Sequence, residues 1–176
     1  MGDVVSSADI VAAGNRFARM LDATEVPRRG GVAVLTGNVP EYLAAYRGTT
    51  WSGRRFTPMS WRWSAEEVAY VVENCEADVL VVEANHCSEM LQADTKRPWS
   101  TKQRISGRHG HLSNAAAREL LESVASPRWR HVFLTHLSRD CNSPAAVEAA
   151  CGAVLAARGC SLSVVAAGGG TPLFEF

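Results

Sequence analysis

The sequence predicts an α/β fold, a three-layer sandwich around a mainly parallel sheet of about five strands. Two observations carry that expectation. Short apolar runs with polar or glycine boundaries alternate along the chain with longer segments whose apolar residues recur at helical spacing. The connections between them are short, which fits right-handed crossovers between parallel strands. At 176 residues, 47% of them hydrophobic, the chain can bury one ordinary core, so residues 1–176 are expected to form a single domain.

Ile10, Val11, Phe17, Ala18 and Leu21 predict an amphipathic helix over 8–21, with Ser6 or Ser7 as its N-cap. After the break at Pro27, Arg28, Arg29 and Gly30, the run Val32-Ala33-Val34-Leu35 reads as a buried strand. Pro40 suits the first turn of a helix that carries Tyr42, Leu43 and Tyr46. A weaker strand covers 55–59. Ser64 then caps a helix to about residue 75, and its early acids Glu66 and Glu67 match the positive helix end. The clearest strand is 78–83, where Val79-Leu80-Val81-Val82 lies between polar boundaries and is mostly β-branched. The alternation continues with a helix over about 113–124, a strand over 131–135, a helix over 144–158 ended by Gly159, and a strand over 162–166.

With 18 basic and 18 acidic residues, the overall charge draws the chain toward neither nucleic acid nor a membrane surface. Cys75, Cys87, Cys141, Cys151 and Cys160 form no CxxC pair, and no signal-like segment follows Met1, so free thiols and a cytoplasmic setting are expected. No apolar stretch approaches the roughly 20 residues that span a bilayer.

Two sets of motifs carry resemblances. Gly31-Val32-Ala33-Val34-Leu35 with Gly37-Asn38-Val39-Pro40-Glu41-Tyr42, then Arg54-Arg55-Phe56-Thr57-Pro58-Met59-Ser60-Trp61-Arg62-Trp63-Ser64 and the Glu66–Cys75 stretch, resemble the opening of adenylate-forming acyl-CoA synthetases over residues 8–83. That resemblance implies a structural segment that builds a parallel sheet and shapes the acyl-binding side. The family's Ser/Thr/Gly-rich phosphate loop ending in lysine is not present. Gly48-Thr49-Thr50 lacks its flanking glycines and lysine and reads as helix and turn. Acyl-CoA ligase activity, and use of ATP and CoA, are therefore not expected of this chain alone.

Over residues 77–176, Glu83-Ala84-Asn85-His86, Lys102-Gln103-Arg104-Ile105, Gly110-His111-Leu112-Ser113-Asn114, Thr135-His136-Leu137-Ser138-Arg139 and the terminal Pro172-Leu173-Phe174-Glu175-Phe176 resemble the end of metallo-β-lactamase-fold hydrolases of the phosphodiesterase or exonuclease type. The resemblance implies His136 as a metal ligand and Glu83 with His111 as the catalytic pair that orients or protonates a scissile phosphate. The family's main His-x-His-x-Asp-His cluster is missing, and Cys87 stands where an Asp usually follows Asn-His.

Read by themselves, His86 and His136 each follow an apolar strand, at the strand ends where sites collect in parallel sheets, and His109 with His111 forms a His-x-His pair. These histidines can converge on zinc or manganese, with Asp140 or Cys87 completing the set, or they can be hydrogen-bonded structural residues. His131, at the other end of its strand, reads as surface structure. Arg104 and Arg108, near Lys102, form a basic patch suited to an anionic substrate or to solvent. Trp61-Arg62-Trp63 can stack bases but reads as loop packing, and no serine sits in a Gly-x-Ser-x-Gly elbow.

Both resemblances share the strand 78–83, so the join falls inside common structure and the two segments can form one sheet. The function expected is that of an incomplete metal-dependent hydrolase acting on a phosphodiester or another anionic small molecule. The alternative is a non-catalytic acyl- or nucleotide-binding or self-associating α/β module, for which a homo-oligomer is the natural partner state and no membrane is needed.

Overall fold

In the computed structural model, which describes residues 5–107, 110–124 and 126–164, the apolar runs lie side by side in one five-stranded parallel sheet. The described elements are α1 (Ser7–Ala23), β1 (Gly31–Leu35), α2 (Pro40–Trp51), β2 (Arg55–Met59), α3 (Ala65–Asn74), β3 (Ala77–Glu83), α4 (Ser88–Ala93), α5 (Trp99–Ser106), α6 (Asn114–Ser123), β4 (His131–Thr135), α7 (Pro144–Ala157) and β5 (Ser161–Val164). The expected three-layer α/β fold is present. Two helices, α4 and α5, were not expected, and residues 165–166 of the anticipated last strand lie outside the described residues.

Local chemistry sets the helix starts. Ser6 caps α1 and Ser64 caps α3, each in a reciprocal capping box, with Asp9 and Glu67 respectively; such a cap contributes about 1 kcal/mol. Pro40 and Pro144 occupy the first turns of α2 and α7, where a missing N–H costs nothing. Gly159, at φ +64°, turns the chain out of α7 into β5.

The strand order is β2-β1-β3-β4-β5. The step from β1 to β2 runs across the sheet in the opposite direction from every later step. Right-handed crossovers therefore place α2 on one face and α3, α6 and α7 on the other. The core follows that division. Phe17, Leu21, Val32, Val34, Ala44, Val79 and Val81 pack on the α1–α2 side, with Phe133 edge-on to Phe17. Leu35, Val68, Val72, Leu80, Val82, Leu121 and Leu134 pack on the other side with α7 residues Val147 and Leu155. Helices α1 and α2 touch closely at Gly48, where an added Cβ would lie 2.6 Å from the Gly14 carbonyl oxygen. No described helix is long and apolar enough to cross a membrane.

β3 is buried on both faces and hydrogen-bonded on both edges, to β1 and to β4. On one edge Val32 pairs with its Val79, and on the other Val132 pairs with its Leu80. A carboxylate at Leu80, which is 2% exposed, would have no partner, and its burial costs several kcal/mol against a total stability of about 5–15 kcal/mol. Leu80→Asp is therefore expected to abolish the cooperative circular-dichroism melt of the whole chain. Fragments 1–77 and 84–176, both of which lack Asp78–Glu83 of β3, should each fail to melt cooperatively, and a cooperative melt from either would contradict this dependence on β3.

Candidate functional site

After β1 the chain turns toward β2, and after β3 it turns toward β4. Neighbouring strands that lead away in opposite directions leave a crevice at their carboxyl ends. Here it is a cleft of about 360 Å³ whose lining includes Asn38, Trp61, Glu83, Arg104, Ile105 and His111. Asn38 follows β1, Trp61 follows β2 and Glu83 ends β3, so the parallel register itself delivers these side chains to one edge. Helix α5 brings Arg104 and Ile105, and the turn before α6 brings His111.

Glu83 is 3% exposed, and its Oε1 lies 2.5 Å from His111 Nδ1, closer than an ordinary N–H···O hydrogen bond. His136 follows β4 directly, with its ring centroid 5.2 Å from that of His111. Its Nδ1 lies 3.5 Å from Oε1 of Glu41, in the first turn of α2. Burial works against a charge on His136, but the hydrogen-bonding and charge of Glu41, with the charge of Glu83, outweigh it and hold its pKa above the usual histidine value. One ligand atom from each of Glu83, His111 and His136 falls within 4.8 Å of the others, an arrangement able to hold a metal ion.

The backbone that presents these groups is tied down. His136 adopts φ +60°, a left-handed conformation rare for a residue with a side chain. Asn85 stabilises it: the Asn85 amide Nδ2 donates to the His136 carbonyl at 2.8 Å, and the Ser138 N–H donates to the Asn85 carbonyl at 2.7 Å. Asn114 and Asn142 exchange buried amide hydrogen bonds at 2.8–2.9 Å, and Asn142 also donates to the Ala84 carbonyl. The segments that follow β3 and β4 are thus pinned to each other and to α6.

Of the residues singled out in the sequence, Glu83, His111 and His136 come together, and Arg104 faces the same cleft. His86 does not join the group. It is 2% exposed, its Nδ1 has no hydrogen-bond partner among the described residues, and it lines a neighbouring cavity with Trp61 and His111. Burial, helped by charge on His111 and opposed by Glu83, lowers its pKa. Cys87 pairs with Glu89, and Asp140 is held by Lys96 and Arg97, so neither turns to the histidines. Arg108 and His109 lie outside the described residues. His131 bonds Ser161 at the far end of β4. Gly48, Thr49 and Thr50 lie within α2, where the Thr50 hydroxyl donates to helix carbonyls. Glu41 and Asn85 were not singled out, because their contacts with His136 join residues far apart in the chain and leave no local pattern.

Residues 4–150 match the family model described as AMP-binding enzyme. The adenylation–carrier didomain of carboxylic acid reductase from Segniliparus rugosus, a structure in complex with AMP, superposes with a TM-score of 0.61 at 16% identity. The superposition covers 92% of this chain and 19% of that one, a likeness of fold. Exodeoxyribonuclease YycJ of Bacillus anthracis is 39% identical over 66 residues, 38% of this chain and 25% of its own. Exodeoxyribonuclease WalJ of Streptococcus pneumoniae is 37% identical over 78 residues, 44% of this chain and 28% of its own. 4-Hydroxybutyrate–CoA ligase 2 of Metallosphaera sedula is 26% identical over 78 residues, 42% of this chain and 14% of its own. The matches thus span between 14% and 28% of these relatives' lengths.

The buried His86 gives a pH signature. Its folded pKa is below the unfolded value of about 6.5, so the unfolded chain takes up the proton first as the pH falls. The stability it contributes is whole above about pH 6.5 and is lost as the pH drops through the folded value. His136 has the opposite trend, which cancels when two proteins that both contain it are compared. Urea melts of wild type and His86→Gln are therefore expected to diverge in the variant's favour from about pH 7.5 to about pH 5. Parallel pH curves would show that His86 does not titrate as its burial implies.

Proposed function

The chain belongs to the AMP-binding enzyme family, and on that premise we propose that it is a non-catalytic ligand-binding α/β module, taking an acyl or nucleotide anion in the cleft between β1 and β3. The family match over residues 4–150 carries this reading. The cleft supports it: about 360 Å³ lies within the range of small-ligand sites, and it sits where open parallel sheets bind ligands. Trp61 offers an aromatic ring for a base or an acyl chain, and Arg104 a guanidinium for a phosphate or carboxylate. Adenylation is no part of the proposal, since the Gly-Thr-Thr triplet is built into a helix and the sequence carries no phosphate loop.

Thermal shift with AMP, ATP, CoA and an acyl-CoA tests the reading. A ligand at 100 times its dissociation constant should add about 2.7 kcal/mol to stability, and Arg104→Ala with Trp61→Ala should reduce the shift at least tenfold in ligand concentration. Unshifted melting with all four compounds would overturn ligand binding. β2 and β5, the outer strands of the sheet among the described residues, would then favour self-association, read by light scattering.

A second reading has its own observation, the convergence of Glu83, His111 and His136, together with the partial likeness to exodeoxyribonucleases. On this reading the protein is a metal-dependent phosphodiester hydrolase related to the metallo-β-lactamase fold. The donor set of two imidazoles and one carboxylate suits zinc or manganese, with Glu83, His111 and His136 holding the ion. A bound ion would supply charge for a phosphoryl oxygen and acidify a water. Arg104 would orient the anionic ester from the same cleft. Manganese-dependent cleavage of a DNA oligonucleotide, lost in His111→Ala and His136→Ala, is the expected result, and cleavage that persists in EDTA or in both variants would refute it.

A further inference from the structure

We propose that the groove between the second half of α1 and the amino ends of β4 and β5 is a second ligand site, one that takes an amphiphilic anion: an apolar chain with a carboxylate or phosphate head. It shares no described lining residue with the cleft at the carboxyl ends of β1 and β3. The strand pattern explains the opening. β4 and β5 pair in register, His131 with Ser161 and Phe133 with Ser163, so these four side chains share one face of the sheet. Phe133 belongs to the α1–α2 core, which identifies the face. That core draws on β1, β3 and β4, with Phe56 of β2 packed against it, but on no described residue of β5. The alternate residues of β5, Leu162 and Val164, pack on the other side. A parallel strand covered on both faces is apolar throughout, whereas β5 turns two serines toward α1. What lies there is an open groove of about 770 Å³, within the size range of small-ligand sites.

The lining of the groove is one-sided in charge. Arg16, Arg19, Met20 and Ala23 recur at spacings of three and four residues and so lie along one face of α1. No acid is among the described lining residues. Both acids of α1 are engaged elsewhere: Asp22 pairs with Arg54 at 2.8 Å, and Asp9 bonds Ser6 in the capping box. Glu25, whose charge acts on His131, and the carbonyl end of α1 make the Thr24 end of the groove the negative one. The head group therefore belongs with Arg16 and Arg19, where a guanidinium offers a carboxylate or phosphate two parallel N–H bonds. Met20, Ala23 and Phe133 give an apolar tail a surface on which to leave water. Charge alone would suit any anion, and apolar surface alone any oil; together they select an amphiphile.

Calorimetric titration of the full chain with decanoate, with decyl phosphate and with decyltrimethylammonium, a cation of equal tail, tests this. About one equivalent of at least one of the two anions should bind, the tighter of them naming the head group, and the cation should bind at least tenfold more weakly. Arg16→Gln with Arg19→Gln should weaken anion binding about tenfold or more. Ser163→Leu, which fills the groove from the strand side, should block it, and both variants should keep a cooperative circular-dichroism melt. If the double variant unfolds, Arg19→Gln alone, at an exposed position, should show the same loss in smaller measure. No saturable binding of either anion by the wild type, equal affinity for the cation, or wild-type affinity in the arginine variants would overturn the proposal. Arg104→Ala should bind the anion as the wild type does; an equal loss there would move the anion to the cleft and sink the second site while leaving the cleft reading standing. Unshifted melting with AMP, ATP, CoA and acyl-CoA, with decanoate or decyl phosphate still bound in an Arg19-dependent way, does the reverse.

Discussion

Everything in this molecule hangs on a parallel strand that has no exposed side. β3 hydrogen-bonds to β1 and β4, and its alternate side chains feed two separate cores, Val79 and Val81 toward α1 and α2, Leu80 and Val82 toward α3, α6 and α7. Burying a valine or leucine completely contributes about 1.5–3 kcal/mol. Four such residues in succession make β3 the element that neither face can lose. It also ends in Glu83, so the strand that organises the core fixes the position of the acid at the cleft.

The reversal of direction at β1 turns that core into a binding geometry. Because the crossover to β2 goes one way and those to β4 and β5 go the other, the chain diverges above β1 and β3 and nothing on the direct path fills the gap. The excursion from Ala84 to Ser113, which carries α4 and α5, forms one wall. Its ends return to the sheet through the bridge between His86 and Ser113 and the hydrogen bond from the Asn85 N–H to the Leu112 carbonyl. Asn85, and separately the bonded pair Asn114 and Asn142, hold the segments after β3 and β4 where backbone ladders have stopped.

How much of this was legible depended on what each segment buries. The strands at Val32 and Val79 were plain because a strand covered on both faces must be apolar throughout. Ser6 and Ser64 marked helix starts because capping is chemistry between near neighbours. α5 buries no residue and α4 buries only Leu91, so neither leaves an apolar period to read. The site was half legible. The resemblance to metallo-β-lactamase-fold hydrolases gave Glu83, His111 and His136, and the place of His136 after a strand gave it a second time. His86 looked like their equal but the turn after β3 drives it inward. Glu41 was invisible for a different reason: its proximity to His136 spans 95 residues and exists only once β1 and β4 have found their places on either side of β3.

The uniform direction of the strands has one more effect. Helices α2, α3 and α7 each follow a strand's carboxyl end, and the His86–Ser113 bridge returns the start of α6 to the end of β3, so all four start near the same edge of the sheet. Their backbone dipoles add there, each equivalent to about half a positive charge at its start. Glu41, Glu66 and Glu67 offset this in the first turns of α2 and α3, but α6 and α7 carry no acid in theirs. A chain whose formal charges cancel is thus electrically uneven: the peptide groups of the fold add to the side-chain charges at the cleft edge, and neutral composition gives no measure of how such a surface greets an approaching anion.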